Sequence, residues 1–289
     1  MPDTPRQDSP QDRFDDARAT DDADSDTHRP WRTRGDGASD TPRSGRKRSA
    51  LRETAIIIVS VLVLTWILQT FIGRQYVIPS ESMENTLHGC TGCTNDRIVI
   101  DKLTYRFSDP APGDVVVFKA PTQSWDDGWT SPRSDNTILR GAQDALSWFG
   151  FAPPDENDLV KRVIAVGGQT VQCRNADKVG VTVNGKPLSE PYVDKALQQQ
   201  DSTTVNPGLV VSEGGALSSC LGADFGPVTV PKGNVWVMGD NRGNSADSRY
   251  HITDELNGTV PVSDIRGKVR FIIYPFSRIG GVGAHNPQK

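Results

Sequence analysis

Histidine is scarce in this chain, with four in 289 residues: His28, His88, His251 and His285. None sits in a GxSxG or other nucleophile motif. A Ser-His-Asp hydrolase therefore has no local support, although its members need not be sequence neighbours. The chain also lacks a second CxxC or an HxxxH that would complete "HGCTGC", His88 to Cys93, as a four-ligand zinc site. "SGRK" at Ser44 and "SDN" at Ser134 match two parts of the penicillin-binding pattern, but no KTG comes after them. There is no internal repeat of fixed period. The first fifty residues hold few apolar side chains and much Asp, Arg, Ser, Thr and Pro, too little to bury for a core. Residues 1–53 read as a disordered tail.

The next segment is the opposite of the tail. "TAIIIVSVLVLTWILQTFIG", residues 54–73, runs twenty positions without a charge. At a rise of ~1.5 Å per residue it spans about 30 Å, the thickness of bilayer hydrocarbon. A soluble core helix and a cleaved export signal are the competing readings. A helix apolar on all sides is rare in soluble proteins, and no small-x-small motif follows Ile72. Arg43, Arg46, Lys47, Arg48 and Arg52 precede the run, and only Arg74 immediately follows it. By the positive-inside rule the tail stays cytoplasmic and residues 74–289 lie outside the cell membrane. The basic cluster is then a membrane flank, and no nucleic-acid partner is expected. All four cysteines, Cys90, Cys93, Cys173 and Cys220, fall on the outer, oxidising side. Cys90 with Cys93 and Cys173 with Cys220 is the favoured pairing, since the second bond would close a long glycine-rich excursion. Zinc on His88, Cys90 and Cys93 is the alternative, and the expectation is no metal.

The outer part reads as short β-runs punctuated by Gly, Pro, Asp and Asn: "RIVID", "DVVVFKA", "LVKRVIAV", "TVQCR", "PVTVP", "NVWVMGD" and "KVRFIIY". Asn184-Gly185 is a strong hairpin signal. One helix is expected near Asn136 to Phe149. Trp125, Trp129, Trp148, Phe149 and Phe151 cluster in or beside loops, as core or as membrane-interface residues. Within "DLVKRVIAVGG" a strand sends Lys161 and Arg162 to opposite faces, and the segment alone does not say which is buried. A buried lysine can act as a base, because an apolar site lowers its pKa from about 10.4.

"IPSESMENTL", "DLVKRVIAVGG" and "VMGDNRGNSADSR", in this order behind a membrane anchor, resemble the sequence boxes of bacterial type I signal peptidases, the leader peptidases. "DRIVIDKLTYRFSDPAPGDVVVF" resembles the box between them. The resemblance covers most of residues 74–275. It implies a mainly β fold: a signal-peptidase-like β-sheet catalytic domain over 74–289 with an irregular second β region, preceded by one transmembrane helix. Boxes at 76–120, 158–172 and 234–275 would form the core, with insertions at 121–157 and 173–230. It further implies Ser82 as nucleophile, Lys161 as general base, and the Ser80 hydroxyl with the Ser82 N–H as oxyanion hole. Ser245 would orient the lysine, Asp247 and Arg249 would form a supporting ion pair, and Asp240, Asn241 and Arg242 would shape the site. Ile78, Met83, Leu87 and Val160 would line the substrate pockets. Two positions depart from the family: Asn85 replaces a proline, and Gly167-Gly168-Gln169 replaces Pro-Gly-Asp.

The implied activity is a Ser/Lys endopeptidase that releases exported preproteins from their signal peptides through an acyl-enzyme, as a monomer at the bilayer and with no cofactor. A catalytic serine close to the membrane exit suits a peptide bond just past another hydrophobic segment. A membrane-tethered β domain binding a partner or cell-wall ligand would share the anchor and the aromatic loops. It would not account for Ser82, Lys161 and Ser245 all falling in family boxes.

Overall fold

The computed structural model describes residues 44–67, 69, 73–126, 128–131, 133–148, 155–196 and 218–289. Phe149, Phe151 and the tail through Arg43 lie outside the described residues. Helix α1, Ser44–Ile67, starts before the Thr54 expected from the uncharged run and stops short of Gly73. Its Ala50–Ile67 stretch has a mean hydropathy of 1.9 and is long and apolar enough to cross a membrane. Exposed Ile56, Ile57, Val59 and Leu64 give it an apolar surface with no protein cover, which a bilayer can solvate.

Strand β1, Gly73–Val77, opens the β-rich part of the chain. It pairs antiparallel with β2, Arg97–Asp101. A single helical turn α2, Thr104–Phe107, is capped at its N-terminus by the Asp101 carboxylate, which accepts from the Leu103 and Thr104 N–H groups. Strand β3, Val115–Lys119, comes next, then helix α3, Thr137–Trp148, close to where the sequence places one. After it come β4, Asp158–Val166; β5, Thr170–Cys173; β6, Thr182–Val183; and β7, Lys186–Pro187. The chain continues through β8, Phe225–Thr229; β9, Asn234–Met238; β10, Val260–Pro261; β11, Ile265–Tyr274; and β12, Gly280–Gly281.

All pairings are antiparallel, in two sheets. The larger runs β1-β2-β11-β3-β4-β9-β10 with β12 beside β11, and the smaller runs β7-β6-β5-β8. The fold is thus mainly β, as the sequence indicates. The β6–β7 hairpin turns on Asn184 and Gly185, both at positive φ (51° and 76°), which is why Asn-Gly occupies them. Cys173 and Cys220 are bonded, tying the end of β5 to the approach to β8, and Cys90 is bonded to Cys93.

Three apolar clusters fill the molecule. Ile78, Met83, Leu87, Ile98 and Ile100 pack with Val115 and Val269 beside the segment that carries Ser80 and Ser82. Phe118, Trp125, Val163 and Val237 form a second cluster, and Ile164, Val171, Phe225, Trp236 and Met238 join the two sheets in a third. Of the loop aromatics, Trp125 is core: it meets Phe118 edge-on and stacks on His251. Trp129 is exposed.

Candidate active site

Strand β4 lies between β3 and β9 in the sheet, and its residues Lys161 to Ala165 are all buried, so alternation along it gives no exposed face there. Lys161 is 4% exposed and Arg162 1%, which removes the choice the sequence left between them. A strand covered on both sides reads as an unbroken apolar run, and here that run carries two cations, each needing a different solution.

The serines stand on the segment after β1. Ser80 is extended and exposed, and the chain then turns once through a 3-10 helix at Glu81–Met83. The turn is fixed from below by Met83 and Leu87, both buried beside Ile78, with Leu87 N–H donating to Met83 O at 2.8 Å. Buried Asp96 fixes it from the side: it accepts from His88 N–H and from Arg278, while its backbone carbonyl accepts from Ile78 N–H. Burial of Met83 and Leu87 contributes roughly 2 kcal/mol each, enough to hold a short turn that has few hydrogen bonds of its own.

Across this turn Lys161 Nζ donates to Ser82 Oγ at 2.7 Å. Ser80 Oγ lies 3.3 Å from Ser82 Oγ. Among the described residues no carboxylate forms a salt bridge with Lys161. Burial therefore drives its pKa down to about 8. The fields of Asp247 and Asp240 pull it upward and that of Arg249 pushes it further down. Asp247 is itself buried, which alone would raise its pKa. The Arg249 charge, its hydrogen bonds and the Gly239 N–H outweigh that and keep it an anion. Arg249 binds it through two nitrogens, each at 2.9 Å.

The Ser245 hydroxyl, expected to orient the lysine, donates to Asp247 Oδ2 at 2.9 Å, the same carboxylate that Arg249 holds. The backbone around it is tight. A Cβ on Gly239 would lie 2.2 Å from Ser245 Oγ and 2.5 Å from Ser82 O, so only glycine lets these two segments meet. Next to it Asn241 N–H donates to Ser82 O at 3.1 Å.

Arg162 is a site residue that sequence reasoning passes over. Its guanidinium binds Asp240 at 2.8 and 2.7 Å, donates to Gly113 O at 2.8 Å, and reaches Thr86 Oγ1 at 3.2 Å. Thr86 also donates to Asp240. The lysine strand, the Gly239–Asn241 turn and the Ser82 segment are thus joined at one buried ion pair. A second buried arginine, Arg242, bonds Gly239 O and the carboxylate of Glu190. The signal that could reveal Arg162 is a pair of adjacent cations in an apolar run, which requires a buried carboxylate somewhere else in the chain.

The expected pocket residues come together: Ile78, Met83 and Leu87 share one cluster, with Val160 against it. The histidines lie apart from this chemistry. His88 pairs with Glu84, and His251 stacks on Trp125 and hydrogen-bonds Ser124. His88, Cys90 and Cys93 are close enough to share a metal, but the two sulfurs are bonded to each other. Asn85, at the first departure from the family, donates to Asp194 at 2.8 Å. At the second, Gly168 takes a positive φ of 88° and the Gln169 amide accepts from Val166 N–H.

A serine hydroxyl bonded to a buried, uncompensated lysine on an antiparallel β scaffold has the composition of a serine hydrolase that needs no histidine. The sequence model described as "Signal peptidase, peptidase S26" matches residues 51–274, and the chain belongs to that family of serine peptidases. It is 56% identical over 256 residues to a probable signal peptidase I of Mycobacterium leprae (strain TN), covering 84% of this chain and 83% of that protein. To the signal peptidase I of Mycobacterium tuberculosis (strain ATCC 25618 / H37Rv) it is 55% identical over 256 residues, with 87% and 81% covered. The signal peptidase I of Bacillus amyloliquefaciens is 30% identical over 235 residues, with 81% and 93% covered.

Proposed function

We propose that Ser82 and Lys161 are the catalytic dyad of a membrane-anchored endopeptidase that removes signal peptides from exported preproteins. The 2.7 Å contact between a lysine with a pKa of about 8 and a serine hydroxyl carries the reading. Neutral Lys161 accepts the Ser82 proton as Oγ attacks the scissile carbonyl. The tetrahedral oxyanion accepts from the Ser80 hydroxyl and the Ser82 N–H. Lys161 then gives its proton to the departing amine, leaving an ester on Ser82. Water attacks this acyl-enzyme with the same lysine as base, and the two products are the mature chain and the freed signal peptide. Every group in this sequence of steps comes from one chain, so a monomer suffices and no cofactor is required.

Ile78, Met83 and Leu87, which share one cluster with Val160 against it, would select small side chains just before the cut. Asp247, held by Arg249, keeps one negative charge near the lysine without an ion pair that would lock it protonated.

Residues 1–53 form the cytoplasmic tail, the apolar run beginning near Thr54 spans the cell membrane, and residues 74–289 work outside. Exposed Leu103, Phe107 and Phe271 line an apolar hollow with Gly73, where the chain enters the catalytic domain, and this face lies against lipid. In vesicles carrying the full chain, Ser82→Ala and Lys161→Ala should each abolish cleavage of a preprotein while the domain stays folded. Retained cleavage by either variant defeats the dyad. Protease added outside sealed spheroplasts should digest the catalytic domain and spare the tail; the reverse pattern defeats the orientation.

A further inference from the structure

The segment leaving β7 does not stay with the smaller sheet. Residues 189–194 cross to the larger one and touch three of its site-forming pieces. The Glu190 carboxylate binds both terminal nitrogens of Arg242, and Tyr192 Oη donates to Glu190 at 3.3 Å. The Arg162 guanidinium lies 4.0 Å over the Tyr192 ring. Asp194 accepts from Asn85 at 2.8 Å. Ser189 N–H donates to Pro287 O, which pins the start of the segment.

The contacts lead on to the segments that carry the reacting pair. Arg242 Nε donates to Gly239 O at 2.9 Å, and Gly239 is the residue that admits no side chain between Ser82 O and Ser245. Arg162 adjoins Lys161 and binds Asp240, in the turn whose next N–H holds Ser82 O. Asn85 follows the turn that carries Ser82. Arg162 and Arg242 are each 1% exposed. Asp240 answers the first, and Glu190 is the carboxylate that answers the second. Tyr192 covers the guanidinium of the first with its ring, an arrangement that desolvation strengthens.

We infer that the strap 189–194 is a positioning element for the dyad, with Glu190 and Tyr192 setting the place of the Gly239–Asn241 turn and so the Ser82 to Lys161 distance. The inference rests on the dyad reading above. It makes the smaller sheet a contributor to rate: the hairpin β6–β7 delivers the strap, and the strap contacts described above fall on residues other than Ser82, Lys161 and those assigned to substrate pockets. Its loss should lower kcat and leave KM nearly unchanged. Because the Glu190 charge opposes Arg242 close behind the site, removing it leaves the local field more positive. A more positive field disfavours protonated Lys161, so the pH at half-maximal rate should fall.

The test is steady-state cleavage by the full chain in detergent micelles, using a peptide that spans a signal-peptide cleavage site, with thermal unfolding of every variant. Glu190→Gln should lower kcat about tenfold, with KM within about twofold, and move the half-maximal pH down by some tenths of a unit. Tyr192→Leu should lower kcat similarly, and Tyr192→Phe, which keeps the ring over Arg162, should restore it. Folded Glu190→Gln and Tyr192→Leu proteins with wild-type kcat and pH profile would overturn the strap's role. So would a rise in KM at constant kcat, which would make it a substrate-binding element. If Glu190→Gln does not fold, the contrast between Tyr192→Leu and Tyr192→Phe decides. Ser82→Ala is assayed alongside: its activity, if retained, defeats the dyad itself. An inactive Ser82→Ala with both strap variants at full rate defeats only the strap.

Discussion

Lys161 and Arg162 are consecutive, both buried, and treated in opposite ways. The region around Arg162 is saturated: Asp240, Thr86, the Gly113 carbonyl and the Tyr192 ring surround the guanidinium. The region around Lys161 offers a serine hydroxyl and two carboxylates acting only through their fields. A cation with its full complement of partners is locked charged and serves the fold. A cation denied an ion pair can lose its proton near neutrality, as a general base must. One strand thus carries an anchoring cation and the proposed base side by side, and their neighbours set them apart.

The largest effect should come from removing the unsaturated partner. Lys161→Met is expected to reduce preprotein cleavage by about 10⁴-fold, near the upper range for a general base. A fall of less than tenfold in a single-turnover assay would mean that another group takes the serine proton. Next comes the saturated side. Asp240→Asn leaves Arg162 buried with a weakened partner and should cost about 3–5 kcal/mol of stability, read as a lower denaturant midpoint. A midpoint matching wild type would show that Arg162 is not held as described.

The contrast sharpens when stability is read in the lysine variant. At neutral pH the buried ammonium is a strained group, so Lys161→Met should stabilise the domain by on the order of 2 kcal/mol while abolishing its activity. The pH dependence has a definite sign. The folded pKa, about 8, lies below the ordinary lysine value of 10.5, so unfolding takes up a proton between these two values. Wild-type stability should then rise with pH across that window by more than the variant's does, and parallel curves would remove the depressed lysine from the account. The smallest effect is on the rate. Cleavage should climb about tenfold from pH 7 to 9 with a midpoint near 8, since only the neutral amine accepts a proton. A flat profile with chemistry limiting would contradict the base.

Much of this is legible in the chain. Gly-, Pro- and Asn-bounded runs mark most strands, and Asn184-Gly185 marks the hairpin, because turn chemistry is local. The order of the boxes marks Ser82 and Lys161. Strands β10 and β12, two residues each, carry no such mark, and neither does β1; all three are specified by their partners across the sheet rather than by their own residues. The same distance hides the Arg162–Asp240 pair, separated by 78 positions, and the role of residues 189–194. Alternation along β4 offers a choice between one buried face and one exposed face. It does not reveal that packing on both sides of the sheet leaves neither face open at Lys161 and Arg162.

Residues 283–288 bear on when the enzyme becomes whole. Gln288 donates to Ile164 O on the lysine strand at 2.8 Å, Arg162 reaches Gly283 O, and a side chain on Gly113 would collide with His285 O. These residues follow, along the chain, all the boxes named above. Strand β4 therefore gains these supports only once residues 283–288 have been made. A chain cut short before them would leave the lysine strand held from fewer sides.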